Sequence, residues 1–478
     1  MTMNTNHNSA AAVPDLRALA REGVVHFVGI GGAGMSALAE LVLRAGGRVT
    51  GCDALLGESV RKLAGLGIAL AAGHDPAHVA DCVAVVTTSA VPDHHPELAS
   101  ARARGIPVLK RAQALGAIVN RGTVVALAGT HGKTTTTTMA TAILAQADMD
   151  PTALAGGRVP AWGGGLRLGG DRLFVVEADE YDRSFLTLAP TVVVLTSVEA
   201  DHLDIYGDLA GVEQAFAQFL AAVPEDGMIA ACHDDDGARR VAARLGRPVL
   251  WYGIDEGAQL RAENITYRGT RSSFDVMRGA ATLGRIDLGV PGAHNVRNAL
   301  GAIAAASYLG ASFDSAQRAL AEFTGVARRF QPLGEAAGVV FIDDYAHHPT
   351  EIAATIAAAR GAHPQRRIVA VFQPHLFSRT RDLAAEFGKA LAGADVVYLS
   401  DIYPAREQPI PGVTGELLYA AVRAAGASAV HYHGPLAELE QALHQELRAG
   451  DVCLGMGAGD IDGVLRRVLA ARAPAGAA

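Results

Sequence analysis

Two glycines bracket a short turn in GTHGKT, residues 129–134, and a lysine and a threonine close it. TVVALAG before the turn reads as a strand by its β-branched content, and TTTTMATAILAQA after it reads as a helix. The chain therefore arrives at a helix N-terminus, where free backbone N–H groups and the helix dipole favour an anion. Gly129 and Gly132 let the backbone curl closely, with Thr130 and His131 between them. Lys133 supplies a point charge for β- and γ-phosphates, the Thr134 hydroxyl a ligand for Mg²⁺, and Thr135 lies one residue further on. The general phosphate-loop pattern asks for another glycine five residues before Gly132; Leu127 stands there, so only the shorter GTxGKT form fits. Lysine is scarce in this chain: of 41 basic residues only Lys62, Lys110, Lys133 and Lys389 are lysines.

Two acidic stretches follow apolar runs. VVEADEYD places Glu177, Asp179, Glu180 and Asp182 after one predicted strand, and SVEADHLD places Glu199, Asp201, His202 and Asp204 after another. Carboxylates beside a bound triphosphate repel it unless cations lie between, so metal ligation is the economical reading, centred on Glu177 and His202. Near the N-terminus, GIGGAGMS (29–36) follows a strand-like run and opens a helix. Gly29, Gly31 and Gly34 satisfy GxGxxG, and Asp53 ends the next strand. That pattern places a diphosphate at the turn without saying which nucleotide carries it; NAD is the default.

These residues need a framework. Short valine-rich runs bounded by Gly or Pro alternate with helix-period segments nearly throughout: VVHFVGI, RVTGCD, VAVVTTSA and IPVLK, then TVVALAG, RLFVVEA and TVVVLTSV, then VVFIDDYA, RIVAVFQP and DVVYLSDIY. This βαβα rhythm predicts α/β domains built on parallel sheets, whose strand C-termini line the ligand crevice. The 478 residues fit three such domains, joined near 119–122 and 326–331. Half the residues are apolar and the net charge is −8, which argues against a general affinity for nucleic acid or anionic membranes. No apolar run reaches about 18 residues, so no membrane span is expected. MTMNTNHNSAAAVPD does not read as a secretory signal, and the tail ARAPAGAA is expected to fray. Cys52, Cys82, Cys232 and Cys453 form no CxxC pair and read as reduced, buried cysteines of a cytoplasmic protein.

In order along the chain, GIGGAGMSALAE, GTHGKTTTT, EADEYDRSFL, EADHLDIY, GAHNVRNALGA, GVARRF, DDYAHHPTE, QPHLFSRTRD and IYPAREQPIPG resemble the motifs of the Mur ligases of peptidoglycan synthesis, over roughly residues 22–465. The resemblance implies an N-terminal Rossmann-like domain for a UDP-sugar (20–119), a central ATP-binding domain with a P-loop ATPase-like parallel sheet (120–327), and a C-terminal Rossmann-like domain (328–470) that closes on ATP and an amino acid. It replaces NAD at the first turn by UDP-N-acetylmuramate. Gly29, Gly31, Gly32, Gly34, Met35 and Ser36 match the UDP-sugar residues, with Asp53, His74 and Ser89 in the same site. It assigns residues 129–135 to ATP, together with Asn295, Asn298, Arg329 and Asp344. Without the family, Asn295 and Asn298 read as polar positions on an alanine-rich packed helix. Thr134, Glu177 and His202 match metal positions for Mg²⁺, with Mn²⁺ as an alternative. His348, His375 and Arg379 fall in the amino-acid pocket.

Within the family the motifs are most similar to the branch that adds L-alanine; the runner-up is the branch that recycles a whole tripeptide. EADEYD leans toward that rival, while SFLTLAP, EADHLDIY and QPHLFSRTRD lean toward alanine. The chain also departs from the family pattern. Tyr181 replaces a common serine, Leu376 replaces a frequent arginine whose amino-acid or carboxylate contact is either missing or supplied by Arg379 or Arg381, and Gly165-Leu166 replaces an Asn/His-Ala pair. Residues 203–226 contain no lysine to match the carbamylated lysine of sister ligases. The implied small-molecule partners are UDP-N-acetylmuramate, L-alanine and ATP, with homodimerisation open. An NAD-dependent oxidoreductase and a non-catalytic nucleotide-binding regulator are rivals of other classes; the first leaves the phosphate loop and both acidic stretches unexplained.

Overall fold

The computed structural model describes residues 14–55, 57–405 and 407–473. The first thirteen residues and most of the alanine-rich tail, with the expectations attached to them, lie outside the described residues. The described chain is an α/β protein with three sheets. It divides into two compact units: residues up to Ala231 with Asp235–Leu250, and Cys232–Asp234 with the residues from Trp251 onward.

In the first unit a five-stranded sheet runs in the order Ala69–Ala72, Arg48–Asp53, Val24–Val28, Cys82–Thr87, Val108–Lys110, and its pairings are parallel. This is the doubly wound order, with the crevice at the C-terminal end of the first strand. The GIGGAG turn emerges there and opens the helix Ala33–Arg44. The same unit contains the parallel neighbours Met228–Cys232, Val192–Leu195, Thr123–Ala128, Leu173–Glu177 and Thr152–Val159, the last closed by an antiparallel hairpin with Gly164–Arg167. Val124–Ala128, Val175–Val176 and Val192–Leu195 are almost fully buried, as expected of parallel strands covered on both faces. The strand Thr123–Ala128 feeds GTHG and then the helix Lys133–Gln146.

The run of threonines is part of that helix. Thr134 through Thr138 are buried, and Thr136, Thr138 and Thr141 donate their hydroxyls to the carbonyls of Gly132, Thr134 and Thr137 at 2.7–2.8 Å. A buried hydroxyl without a partner is costly; bonding back four residues along the helix satisfies it.

In the second unit a six-stranded sheet runs Gln331–Ala336, Val339–Asp344, Asp451–Met456, Arg367–Phe372, Val396–Leu399, Val430–Tyr432, parallel apart from its first, antiparallel edge. Along Arg367–Phe372, Ile368, Ala370 and Phe372 enter one apolar cluster and Val369 and Val371 the other, so the period-two alternation of a strand builds a core on each face. Beside the expected parallel strands, the second unit carries an antiparallel addition. Leu260–Arg268, Arg271–Arg278 and Ala281–Leu288 form an antiparallel meander. Its partly exposed strands alternate polar and apolar residues, unlike the continuous valine runs of the buried strands.

The four cysteines are free, as expected; Cys52, Cys232 and Cys453 are buried, whereas Cys82 is only half-buried. Among the described residues no helix is long and apolar enough to cross a membrane.

Candidate active site

In the first unit the phosphate-loop turn is stitched to the loop after Val192–Leu195. Thr130 N–H donates to Ser197 O at 2.9 Å, His131 N–H to Ser197 Oγ at 3.0 Å, and Glu199 N–H to Thr130 Oγ1 at 2.9 Å. The approach is close enough to require glycine at its start: a Cβ on Gly129 would lie 2.0 Å from Thr196 Oγ1. Gly132 adopts φ 81° and caps the helix.

Lys133 does not project into solvent. Its Nζ donates to the carbonyls of Gly129 (2.7 Å) and Thr130 (3.1 Å) and to both carboxylate oxygens of Glu180 (2.7 and 3.0 Å). The side chains of Lys133 and Glu180 are 14% and 4% exposed. Burial works against the ammonium, but Glu180, Asp179 and Glu177 outweigh it and hold the lysine pKa above its ordinary value. Lys133 thus stays charged and is held against the loop that precedes it.

Glu177 ends its strand beside the helix. It accepts from Thr134 Oγ1 at 3.1 Å and from Gly156 N–H at 2.6 Å. Thr134 and Glu177 therefore present hard oxygen donors together, the donor chemistry that Mg²⁺ takes. His202 adopts φ 54° at the head of a short helix, with its Nε2 3.8 Å from Glu180 and 3.8 Å from Asp201. Tyr181 lies edge-on to the His202 ring at 5.1 Å. Glu180 thus stands between Lys133 and His202, while the Tyr206 hydroxyl donates to the Glu180 backbone carbonyl. Sequence reasoning named Glu180 within its acidic stretch and did not select it; the stretch offers four acids and no spacing rule for the one that faces the lysine.

The GIGGAG turn lies in the same unit. Gly29 and Ile30 N–H donate to Cys52 O at 2.9 and 3.1 Å, and Gly31 N–H donates to the Asp53 carboxylate at 2.8 Å. Asp53 therefore shapes the turn itself. Met35 is buried, Ser36 Oγ donates to Ala33 O, and Gly32 begins the helix. Ser89 donates to Asp182 at 2.6 Å, and Lys110 donates to the same oxygen at 3.1 Å. Gly34, Arg111, Gly156, Glu177 and Asp179 line one cleft, which places the helix after the turn beside Glu177. Arg111, at 3.5 Å from Asp179, was missed; a lone arginine opening a helix carries no sequence signal.

In the second unit, Asn295 and Asn298 are buried on the helix Ala293–Tyr308. Asn295 Nδ2 donates to Pro291 O at 2.7 Å and Asn298 Nδ2 to Asn295 Oδ1 at 3.3 Å. The helix is alanine-rich and packed, so both readings of these asparagines remain compatible with their placement. Asp344 accepts from Phe330 N–H and Ala346 N–H, each at 2.8 Å, and so ties the GVARRF linker to the end of its strand. Arg329 reaches Glu351 at 3.4 Å, and both Arg328 and Arg329 lie over the Tyr345 ring at 5.1 and 5.3 Å. Glu351 also accepts from the N–H groups of His347 and His348 at 3.0 and 3.3 Å. His348 is buried at the head of the helix Pro349–Ala362. Arg379 NH1 lies 3.3 Å from His375 Nδ1, whose ring stacks on Tyr403 at 5.8 Å and meets the His347 ring edge-on at 5.7 Å. His347, Glu351 and Tyr403 thus support the predicted pocket residues, and sequence reasoning had not singled them out.

Burial raises the carboxyls of Asp343 and Asp344 to about 6, against the pull of Arg328 and Arg329 respectively. A raised folded-state pKa means that the folded protein binds protons more tightly than the unfolded chain between pH 6 and pH 4. These groups therefore add stability as pH falls through that window and oppose folding above it. Urea unfolding of Asp343→Asn across that window should show a flatter pH profile, with the wild type gaining up to about 3 kcal/mol relative to the variant on acidification. Parallel profiles would contradict the assignment.

Three family models match the chain: the Mur ligase family, catalytic domain, over residues 24–123; the Mur ligase middle domain over 127–306; and the Mur ligase, glutamate ligase domain, over 328–459. The chain is 45% identical over 437 residues to the UDP-N-acetylmuramate–L-alanine ligase of Solidesulfovibrio magneticus, covering 91% of this chain and 95% of that one. It is 46% identical over 451 residues to the ligase of the same name from Azoarcus sp. strain BH72, covering 92% and 96%. Among solved structures it matches the UDP-N-acetylmuramate–alanine ligase of Thermotoga maritima with a TM-score of 0.79 at 30% identity, over 94% of this chain and 99% of that one. A murein peptide ligase from Psychrobacter arcticus matches with a TM-score of 0.69 at 27% identity, over 95% and 100%.

Proposed function

The chain belongs to the Mur ligase family, and on that premise we propose that it joins L-alanine to the carboxylate of UDP-N-acetylmuramate at the expense of ATP, in cytoplasmic peptidoglycan precursor synthesis. The observation that carries the reading is the phosphate-loop turn, where Lys133, Thr134 and Glu177 converge at one helix N-terminus. Relatives that carry the alanine-adding name, at 45–46% identity over nine-tenths of the chain, favour L-alanine over the tripeptide alternative. We keep the three-domain division at 20–119, 120–327 and 328–470 as part of the same proposal.

A carboxylate is a poor acyl donor because its leaving group is oxide. Transfer of the γ-phosphoryl group of ATP to it gives an acyl phosphate, whose leaving group is phosphate. Lys133 exchanges its loop carbonyls for the β- and γ-phosphate oxygens, where its charge and the turn amides stabilise the transferring group. Thr134 and Glu177 would hold Mg²⁺, and His202 would serve a second metal position that suits Mg²⁺ or Mn²⁺. When bound, the cation screens the repulsion between phosphate and carboxylate oxyanions. Asn295, Asn298, Arg329 and Asp344 are assigned to the nucleotide; residues 29–36 with Asp53, His74 and Ser89 are assigned to the UDP-sugar. In the acceptor pocket His348 or His375 either takes the proton that the alanine ammonium must lose before attack or positions the amine.

Arg379 is assigned the alanine carboxylate. It is 8% exposed, whereas Arg381 is bonded to its neighbour Asp382. Arg379→Ala should raise the KM for alanine about 30-fold, on the scale of about 2 kcal/mol for a charge-assisted hydrogen bond. The KM for ATP should be nearly unchanged, and steady-state kinetics with each substrate varied in turn reads the split. Function itself is tested by phosphate release from ATP, Mg²⁺ and UDP-N-acetylmuramate with L-alanine, glycine, L-serine or the L-Ala-D-Glu-diamino-acid tripeptide. Release with L-alanine supports the reading; release with the tripeptide alone assigns the recycling activity instead.

A further inference from the structure

The five-stranded sheet that carries the GIGGAG turn buries a cluster that the ligase reaction does not use. His26 lies on the central strand Val24–Val28, Cys52 on Arg48–Asp53, His78 in the short helical turn Pro76–Val79, and Glu97 at the start of the helix Pro96–Ala103. His26 is 2% exposed, while Cys52 and Glu97 are 0% exposed. Donor atoms from all four residues lie within 4.8 Å of one another. His78 Nδ1 is 2.7 Å from Glu97 Oε1, and Cys52 Sγ is 3.2 and 3.3 Å from the two Glu97 oxygens. Outside the four, His74 Nδ1 lies 3.3 Å from Cys52 Sγ, and the Asp75 amide donates to Glu97 at 3.1 Å.

Hydrogen bonding within the cluster is incomplete. His26 Nδ1 is engaged by Thr50 Oγ1 at 2.9 Å, while its buried Nε2 has no hydrogen-bond partner. One ring nitrogen held by a neighbouring oxygen and the other left over is how a metal-ligating histidine is oriented. The Cys52 thiol is a weak donor to spend on a buried carboxylate. The Glu97 carboxylate accepts from the Cys52 thiol and the Asp75 amide and is bonded to the His78 ring, so both its oxygens face the cluster.

We propose that His26, Cys52, His78 and Glu97 form a tetrahedral binding site for one zinc-class divalent transition-metal ion within the sheet that carries the UDP-sugar turn. Two imidazoles, one thiolate and one carboxylate match the ligand types and number of a closed site. Binding releases the Cys52 proton to solvent. The two ligand charges then balance the cation, where the metal-free cluster buries a carboxylate whose ion-pair neighbours are histidines. Metal–ligand bonds of about 2.0–2.3 Å set tetrahedral donor separations near about 3.3–3.8 Å, within reach of small side-chain rotations from the present spacing. Cys52 O anchors Gly29 and Ile30, so occupancy also fixes the base of the turn.

The test is cobalt titration of the full chain after chelator treatment, followed by absorbance and then by displacement with Zn²⁺. The expected result is one Co²⁺ per chain, with a thiolate-to-cobalt charge-transfer band and intense tetrahedral d–d bands that Zn²⁺ discharges. Cys52→Ser should lose the charge-transfer band, His26→Gln should weaken binding at least tenfold, and Cys82→Ser should retain the wild-type spectrum. Circular dichroism checks that each variant folds. His78→Gln, at a ring that is 25% exposed, reads the same site if Cys52→Ser does not fold. A wild-type chain without the charge-transfer band overturns the proposal, as does a band that survives in both Cys52→Ser and His78→Gln.

Discussion

Lys133→Met is expected to lower kcat of the ligase reaction by about 10³-fold or more, the scale on which a single donor to a developing oxyanion acts in a closed site. The lysine is held by two loop carbonyls and the Glu180 carboxylate, so it is already charged when ATP arrives and has only to exchange the two carbonyls for phosphate oxygens. Arginine should not rescue activity. Its planar fork is bulkier than an ammonium, and the space between Gly129 O, Thr130 O and Glu180 fits a point charge. Rapid-quench measurement of phosphate formation, with thermal unfolding recorded on the same variant, reads the effect.

Glu180→Ala carries the second large expectation, a loss of stability of about 3–5 kcal/mol from stranding a buried ammonium. The same penalty falls on Lys133→Met, which strands Glu180, so activity alone does not separate chemistry from folding in either single variant. The double variant Lys133→Met/Glu180→Leu separates them. Removing both charges with apolar replacements should recover most of the stability lost in each single change, giving a coupling of several kcal/mol, while activity stays absent. If the double variant is as unstable as the sum of the single changes, the pair is not the buried unit described here. If Glu180→Ala unfolds like the wild type, Glu180 is a bystander.

What could be read from the sequence follows from how strongly local chemistry signals. The Thr123–Ala128 and Val192–Leu195 strands are buried on both faces and appear as unbroken valine runs, and the glycines at 29 and 129 mark turns that need them. Partners brought together by the fold left weaker traces. EADEYD shows four acids, and only the three-dimensional path of the chain after Glu177 turns Glu180 toward Lys133 and Asp182 toward Ser89 and Lys110. The meander at Leu260–Leu288 was hidden because its exposed faces break the hydrophobic runs. The His26, Cys52, His78 and Glu97 cluster was hidden because its members are scattered over four elements, and Cys52 by itself reads as an inert buried thiol. Glu351 was within the quoted DDYAHHPTE motif, yet its hold on Arg329, His347 and His348 is visible only once the helix it opens is built.

The central claim is that ATP activates the UDP-N-acetylmuramate carboxylate as an acyl phosphate at the Lys133 loop. Its most direct test is to label that carboxylate with heavy oxygen, run a single turnover with ATP, Mg²⁺ and L-alanine, and weigh the phosphate released. The account predicts one labelled oxygen in each phosphate formed, and no labelled phosphate from Lys133→Met. Unlabelled phosphate released alongside the alanine adduct would contradict it, because the carboxylate oxygen would then never have been bonded to phosphorus.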